Sequence, residues 1–172
     1  MINDISNLRV GLILAMLTLI FGIAMGVLFG TNEDGVKGFI AEGIATHQTL
    51  HDEKSQSKIW RYAQRAHFHA TGVSAFALVL ILMTGVTTLP RKMKFVASTL
   101  IGIGSFYPLA WLSMFLLSPT MGRDAAHHAF ITELITKVTV GCLSAGILLV
   151  MAGLVYNPGR SSDSQILDSN AA

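Results

Sequence analysis

Long apolar runs separated by short polar intervals dominate the chain. Val10 to Gly30 carries no charge over about 20 residues, the length that crosses roughly 30 Å of hydrocarbon as a helix. Three later runs end at Val86, Leu117 and about Tyr156. The pattern predicts an all-α integral membrane four-helix bundle with spans at 10–30, 66–86, 95–117 and 126–156. These spans form one domain, 1–160, followed by a serine-rich polar tail, 161–172, expected to be disordered.

Between the first two spans the periodicity changes. TNEDG is a helix-start signal with Asn32 or Asp34 as cap, and Val36 to His51 then repeats apolar residues at helical spacing. At about 100° per residue, Val36, Ile40, Ile44, His47 and His51 share one side of this segment. It is too short to span and is expected to lie as an amphipathic helix at the membrane surface. DEKSQSK then reads as a polar hinge, and the helical pattern resumes at Ile59.

Several local signals refine the picture. Gly22, Gly26 and Gly30 recur every fourth residue and predict a close approach by another helix. Pro108 should kink the third span, and Asp124 is the expected cap of the fourth. Cys142, the only cysteine, lies in an apolar run and reads as a buried small hydrophobe. Arg91, Lys92 and Lys94 form the densest basic turn, with Arg9 and Arg160 on the same side, which places both termini in the cytoplasm and the histidines on the opposite face of a cell (inner) membrane.

Composition agrees with the class: 52% of residues are hydrophobic and 13% charged. The net charge of +2, with scattered cations, carries no nucleic-acid footprint. G-x-S-x-G, P-loop, G-x-G-x-x-G and CxxC motifs are missing from the sequence, which argues against hydrolase, nucleotide-driven and thiol-redox chemistry.

The candidate chemistry lies in the six histidines. A neutral imidazole offers a lone pair to a metal without bringing charge into the bilayer. His47 and His51, one helical turn apart, suit one metal ion, with His67 and His128 as further ligands. On the second span Tyr62, Arg65 and His69 share one face, and Trp60, His67 and Thr71 the other. A haem b held between helices would take His69 and His127 as axial ligands, with Arg65 on a propionate; His67 and His128 are the competing pair. His127 is the better inward candidate, since Leu134, Val138 and Gly141 share its face and mark a packed interface. Glu133 and Lys137, at i and i+4 inside an apolar run, are expected to pair with each other or with Arg65 or Arg123, either as a structural ion pair or with Glu133 in proton transfer to a quinone or a metal-bound species.

HQTLH, HFH and HH loosely resemble the histidine boxes of membrane desaturases and hydroxylases, but the second and third lack the H-x-x-H-H form. The sequence therefore points to a small multi-span protein binding haem b or a transition metal ion (Cu, Fe or Zn), an electron-transfer subunit with a possible quinol link. The expected partners are the lipid bilayer, a quinone and other membrane subunits. The alternatives are a non-haem metal protein of transport or oxidase type and a structural subunit without cofactor.

Overall fold

A computed structural model describes residues 2–156, and every regular element among them is helical. The tail at 161–172 and Arg160 lie outside the described residues. The elements are α1 (Ile2–Thr46), a short 3-10 turn (Gln48–Leu50), α2 (Ser55–Val86), α3 (Arg91–Gly104), α4 (Pro108–Met121), α5 (Arg123–His128) and α6 (Phe130–Val155). Four stretches are long and apolar enough to cross a membrane: Ile5–Thr46, Ser55–Val86, Arg91–Met121 and Phe130–Val155. The protein is a multi-pass membrane protein built as a four-helix bundle.

The amphipathic segment is the second arm of α1. Asn32 leaves helical geometry (φ −147°, ψ 42°) and its side chain folds over Gly35, so closely that a Cβ added there would collide with Asn32 Oδ1. Beyond this kink Val36 and Ile40 pack with Ile59 and Ala63 of α2 and Phe115 of α4. This small cluster lies past the point where α2 has already used its membrane-crossing length. The helix has 32 residues, about 48 Å, against roughly 30 Å of hydrocarbon. The arm stops at Thr46, not at His51, so His47 and His51 are off the helix. His47 precedes the 3-10 turn at φ −125°, ψ 46°, and His51 follows it in extended backbone.

At the other end Leu8, Ala15, Ala77, Ile81, Ile101 and Val150 form the membrane core. Backbones touch there: a Cβ on Gly11 would collide with the Ser98 carbonyl oxygen, and one on Gly102 would fall 2.8 Å from Gly11 Cα. Lys94 is 6% exposed and donates to the Gly85 carbonyl at 2.7 Å, satisfying an end carbonyl of α2. Thr88 does the same for α6, donating to the Gly153 and Tyr156 carbonyls at 3.2 and 2.7 Å. Cys142 is partly rather than fully buried.

The third span is broken internally, and a second break lies just before the fourth. The third is interrupted at 105–107 by 3-10-type bonds, with Phe106 N–H donating to Ile103 O at 3.1 Å and Tyr107 N–H to Gly104 O at 3.2 Å. Pro108, which lacks an N–H, starts α4. Ser105 Oγ donates to Gly102 O at 2.6 Å and lies 3.0 Å from Thr18 Oγ1 of α1, so the polar atoms at the break are met inside the bundle. Just ahead of the fourth span the helix breaks at Ala129 (φ −59°, ψ 135°), which separates α5 from α6. Gly122, at φ 82°, ends α4 and is the residue before α5; the expected cap Asp124 sits within the first turn instead.

Candidate functional site

α2 presents its histidines to different neighbours. His67 turns to α1, where its Nδ1 donates to the Gly22 carbonyl at 2.8 Å and its ring lies edge-on to Phe29. The glycine stripe makes room for it: a Cβ on Gly26 would meet His67 Cε1 at 2.8 Å, and one on Gly22 would meet the Thr71 nitrogen at 2.9 Å. Gly30 takes no part, having nothing within 4 Å. His67→Leu is expected to weaken the α1–α2 contact by about 0.6–1.7 kcal/mol, measured as a lower melting temperature in detergent.

His69 turns to α4. Its ring lies 5.6 Å from Tyr107 and 5.8 Å from Trp111, and its Nδ1 donates to the Arg65 carbonyl at 2.9 Å. Arg65 and Tyr62, on the same face, meet the same indole, with the Arg65 guanidinium 4.7 Å and the Tyr62 ring 5.9 Å from it. Trp111 is thus the hub of this side, yet its buried Nε1–H has no acceptor among the described residues.

On the far side of Trp111 a cleft of about 350 Å³ opens between α4, α5 and α6. Tyr107, Trp111 and Met114 form one wall, and His127, His128, Glu133 and Lys137 the other. Glu133 Oε2 accepts from Lys137 Nζ at 2.5 Å, and Glu133 Oε1 lies 3.3 Å from His128 Nδ1. The expected ion pair is present, extended by a histidine. Thr132, buried in the floor, shares a 2.8 Å hydrogen bond with Ser113. The break at Ala129 puts His127 and His128 on α5, out of register with Leu134, Val138 and Gly141. Their rings meet each other at 4.9 Å, edge to face.

His69 and His127 therefore approach the same aromatic wall separately: Tyr107 and Trp111 contact His69 and also line the cleft that His127 lines. His47 and His51 are held elsewhere. His47 Nδ1 donates to Gly43 O at 3.0 Å, whereas His51 donates through Nε2 to Pro119 O at 3.0 Å. Among the described residues no group of three or more His, Cys, Asp or Glu side chains is positioned to hold a metal ion. Sequence reasoning missed Tyr107 and Trp111. Their signal was the aromatic spacing on either side of Pro108, which puts both rings on one side of α4.

The loop above the site is pinned by Asp52. Its Oδ1 accepts from Ser55 Oγ at 2.8 Å and from Lys54 N–H at 3.0 Å, and its Oδ2 pairs with Arg123 at 3.3 Å. The hydrogen bond from Ser55, reinforced by Lys58 and Arg123, holds the Asp52 carboxyl below its ordinary value of 3.8. Because the folded value is the lower one, this stabilisation is complete above about pH 4 and is lost as pH falls through the folded value. A thermal-stability titration should show an acid-side decline below that pH which Asp52→Asn removes.

No protein-family model matches the chain, and no curated protein or solved structure matches it.

Proposed function

We propose that the protein is a membrane subunit that receives the ring of a quinol or quinone in the cleft between α4, α5 and α6. The observation that carries this reading is the Lys137–Glu133–His128 chain facing the Tyr107–Trp111 wall in one cleft. A flat ring with an apolar tail fits aromatic walls beside an apolar bundle surface. Its oxygens need hydrogen-bonding and proton-exchanging partners, which Glu133 and His128 supply. The volume of about 350 Å³ lies at the small end of ligand sites and suits a single ring system with its tail in lipid. On oxidation of a quinol, its two hydroxyl protons leave in turn to the Glu133 carboxylate, from which His128, exposed at the rim, passes each to water, and its two electrons leave to a redox centre of a partner membrane subunit.

The test is a titration of the Trp60→Phe protein in nanodiscs with a short-chain benzoquinone or naphthoquinone, reading quenching of Trp111. Saturable quenching, reduced by Tyr107→Ala, supports the reading. Linear quenching of the same slope in both proteins removes it.

A second reading, haem b or a metal ion bound by the histidines, is favoured by the carbonyl anchors. A carbonyl only accepts, so His67 and His69 hold their protons on Nδ1 and keep Nε2 as a bare lone pair. Metal-bound histidines are oriented in the same way. His69 with His127, the axial pair expected from the sequence, requires the Trp111 indole to move aside. Protein expressed with ample haem should then show a Soret band lost in His69→Ala; a colourless, metal-free sample would end this reading.

A further inference from the structure

Above the quinol cleft, at the head of α2, lies a second concavity of different chemistry. Lys58, Arg61, Tyr62 and Arg65 repeat at helical spacing along one face of α2, and with Arg123 from α5 they line a cavity of about 190 Å³. Four cations and one phenol therefore surround a space the size of a small anion. The nearby carboxylates do not balance them. Asp52 pairs with Lys58 at 3.9 Å and Arg123 at 3.3 Å, and Asp124 lines the adjoining cleft with Tyr62, Arg123 and His127. Arg61 and Arg65 have no acidic partner among the described residues. Like charges brought together repel, and a bound anion offsets that cost.

Depth identifies the class of anion. Gly85 packs on Leu8 at the far end of the bundle. From there to Arg65 is about 20 residues of helix, roughly 30 Å, so Arg65 sits at the edge of the hydrocarbon. Trp60, Tyr62 and Trp111 surround that level, as aromatic residues do at a membrane interface. Lipid phosphates lie at this depth. Arg65 is stacked on Trp111 at 4.7 Å, so its fork is held in place before any ligand arrives.

We propose that Lys58, Arg61, Arg65 and Arg123 form a binding site for a phosphate group at the membrane surface, the headgroup of an anionic lipid or a free phosphate. The site does not depend on what the cleft below it binds. Guanidinium groups pair with two phosphate oxygens at once, the Lys58 ammonium adds a point charge, and the Tyr62 hydroxyl donates a further hydrogen bond.

The full-length protein in neutral detergent is titrated separately with phosphatidylglycerol, phosphatidylcholine and inorganic phosphate, and tryptophan emission is read. Phosphatidylglycerol is expected to give a saturable shift, about fivefold weaker in Arg61→Gln and restored in Arg61→Lys. Arg61 is exposed and unpaired, so the variant keeps its fold; Arg91→Gln, at the other end of the bundle, should match the wild type. Saturation by phosphatidylglycerol alone assigns a lipid, and saturation by inorganic phosphate as well assigns the phosphate group whatever its source. Identical responses to the two lipids, unchanged in Arg61→Gln, overturn the proposal.

Discussion

Glu133→Gln is expected to weaken quinone binding in the cleft by about 10- to 100-fold while leaving the bundle folded. The carboxylate serves three groups: it accepts from Lys137 at 2.5 Å, lies 3.3 Å from His128, and faces the ring space. The amide keeps the shape but loses the charge and the proton-accepting site. Removing one charge-assisted hydrogen bond costs about 1.5–3 kcal/mol, which sets the expected range. Lys137 has a long apolar stem that can carry its ammonium toward the membrane interface, so the variant should retain its melting temperature. Equal loss of binding and of thermal stability would instead make Glu133 a structural ion-pair partner.

A large structural effect that also reaches the cleft is expected at Gly104, just before the break in the third span. A Cβ there would stand 2.5 Å from Leu143 Cβ and 2.8 Å from Leu143 Cα, so α6 itself must move. Gly104→Ala should destabilise the protein by about 1–3 kcal/mol, the cost of overpacking a closed contact. The displacement should also disturb the cleft, whose walls are Tyr107 and Trp111 after the break and Glu133 and Lys137 on α6. Gly141 supplies the control. An added methyl there would have nothing within 4 Å, and Gly141→Ala in the same helix should be neutral or slightly stabilising. Thermal unfolding in one detergent compares the two.

The four apolar runs were legible because bilayer crossing demands length and the absence of charge, both of which a linear pattern records. Pro108 announced the break in the third span, and spacing put Glu133 and Lys137 within reach of each other, with Arg65 and Arg123 as the other partners it allowed. The separation of His67 from His69 was also readable, since neighbouring positions on a helix point apart. What the pattern hid was where helices stop. The wheel carried the α1 arm through His51, but the chain leaves the helix at Thr46, and His47 and His51 bond to backbone carbonyls instead of sharing a face. Ala129 gives no composition signal for a break, yet it shifts His127 and His128 off the α6 register.

The interval between the first two spans shows the same limit. In the fold it contracts to residues 47–54, between two helices that rise past the bilayer. Lys58, Arg61 and Arg65 then belong to α2, where they line a cavity with Arg123. Such a grouping depends on α5 crossing near α2, a tertiary fact that no spacing in the sequence records.

A ring-binding cleft between α4, α5 and α6 is tested most directly by photo-crosslinking with an azido-quinone in nanodiscs, followed by peptide mapping. Adducts are predicted on 107–114 and 127–137, suppressed by excess unlabelled quinone. Adducts confined to other lipid-facing stretches such as α1, or insensitive to competitor, would contradict it.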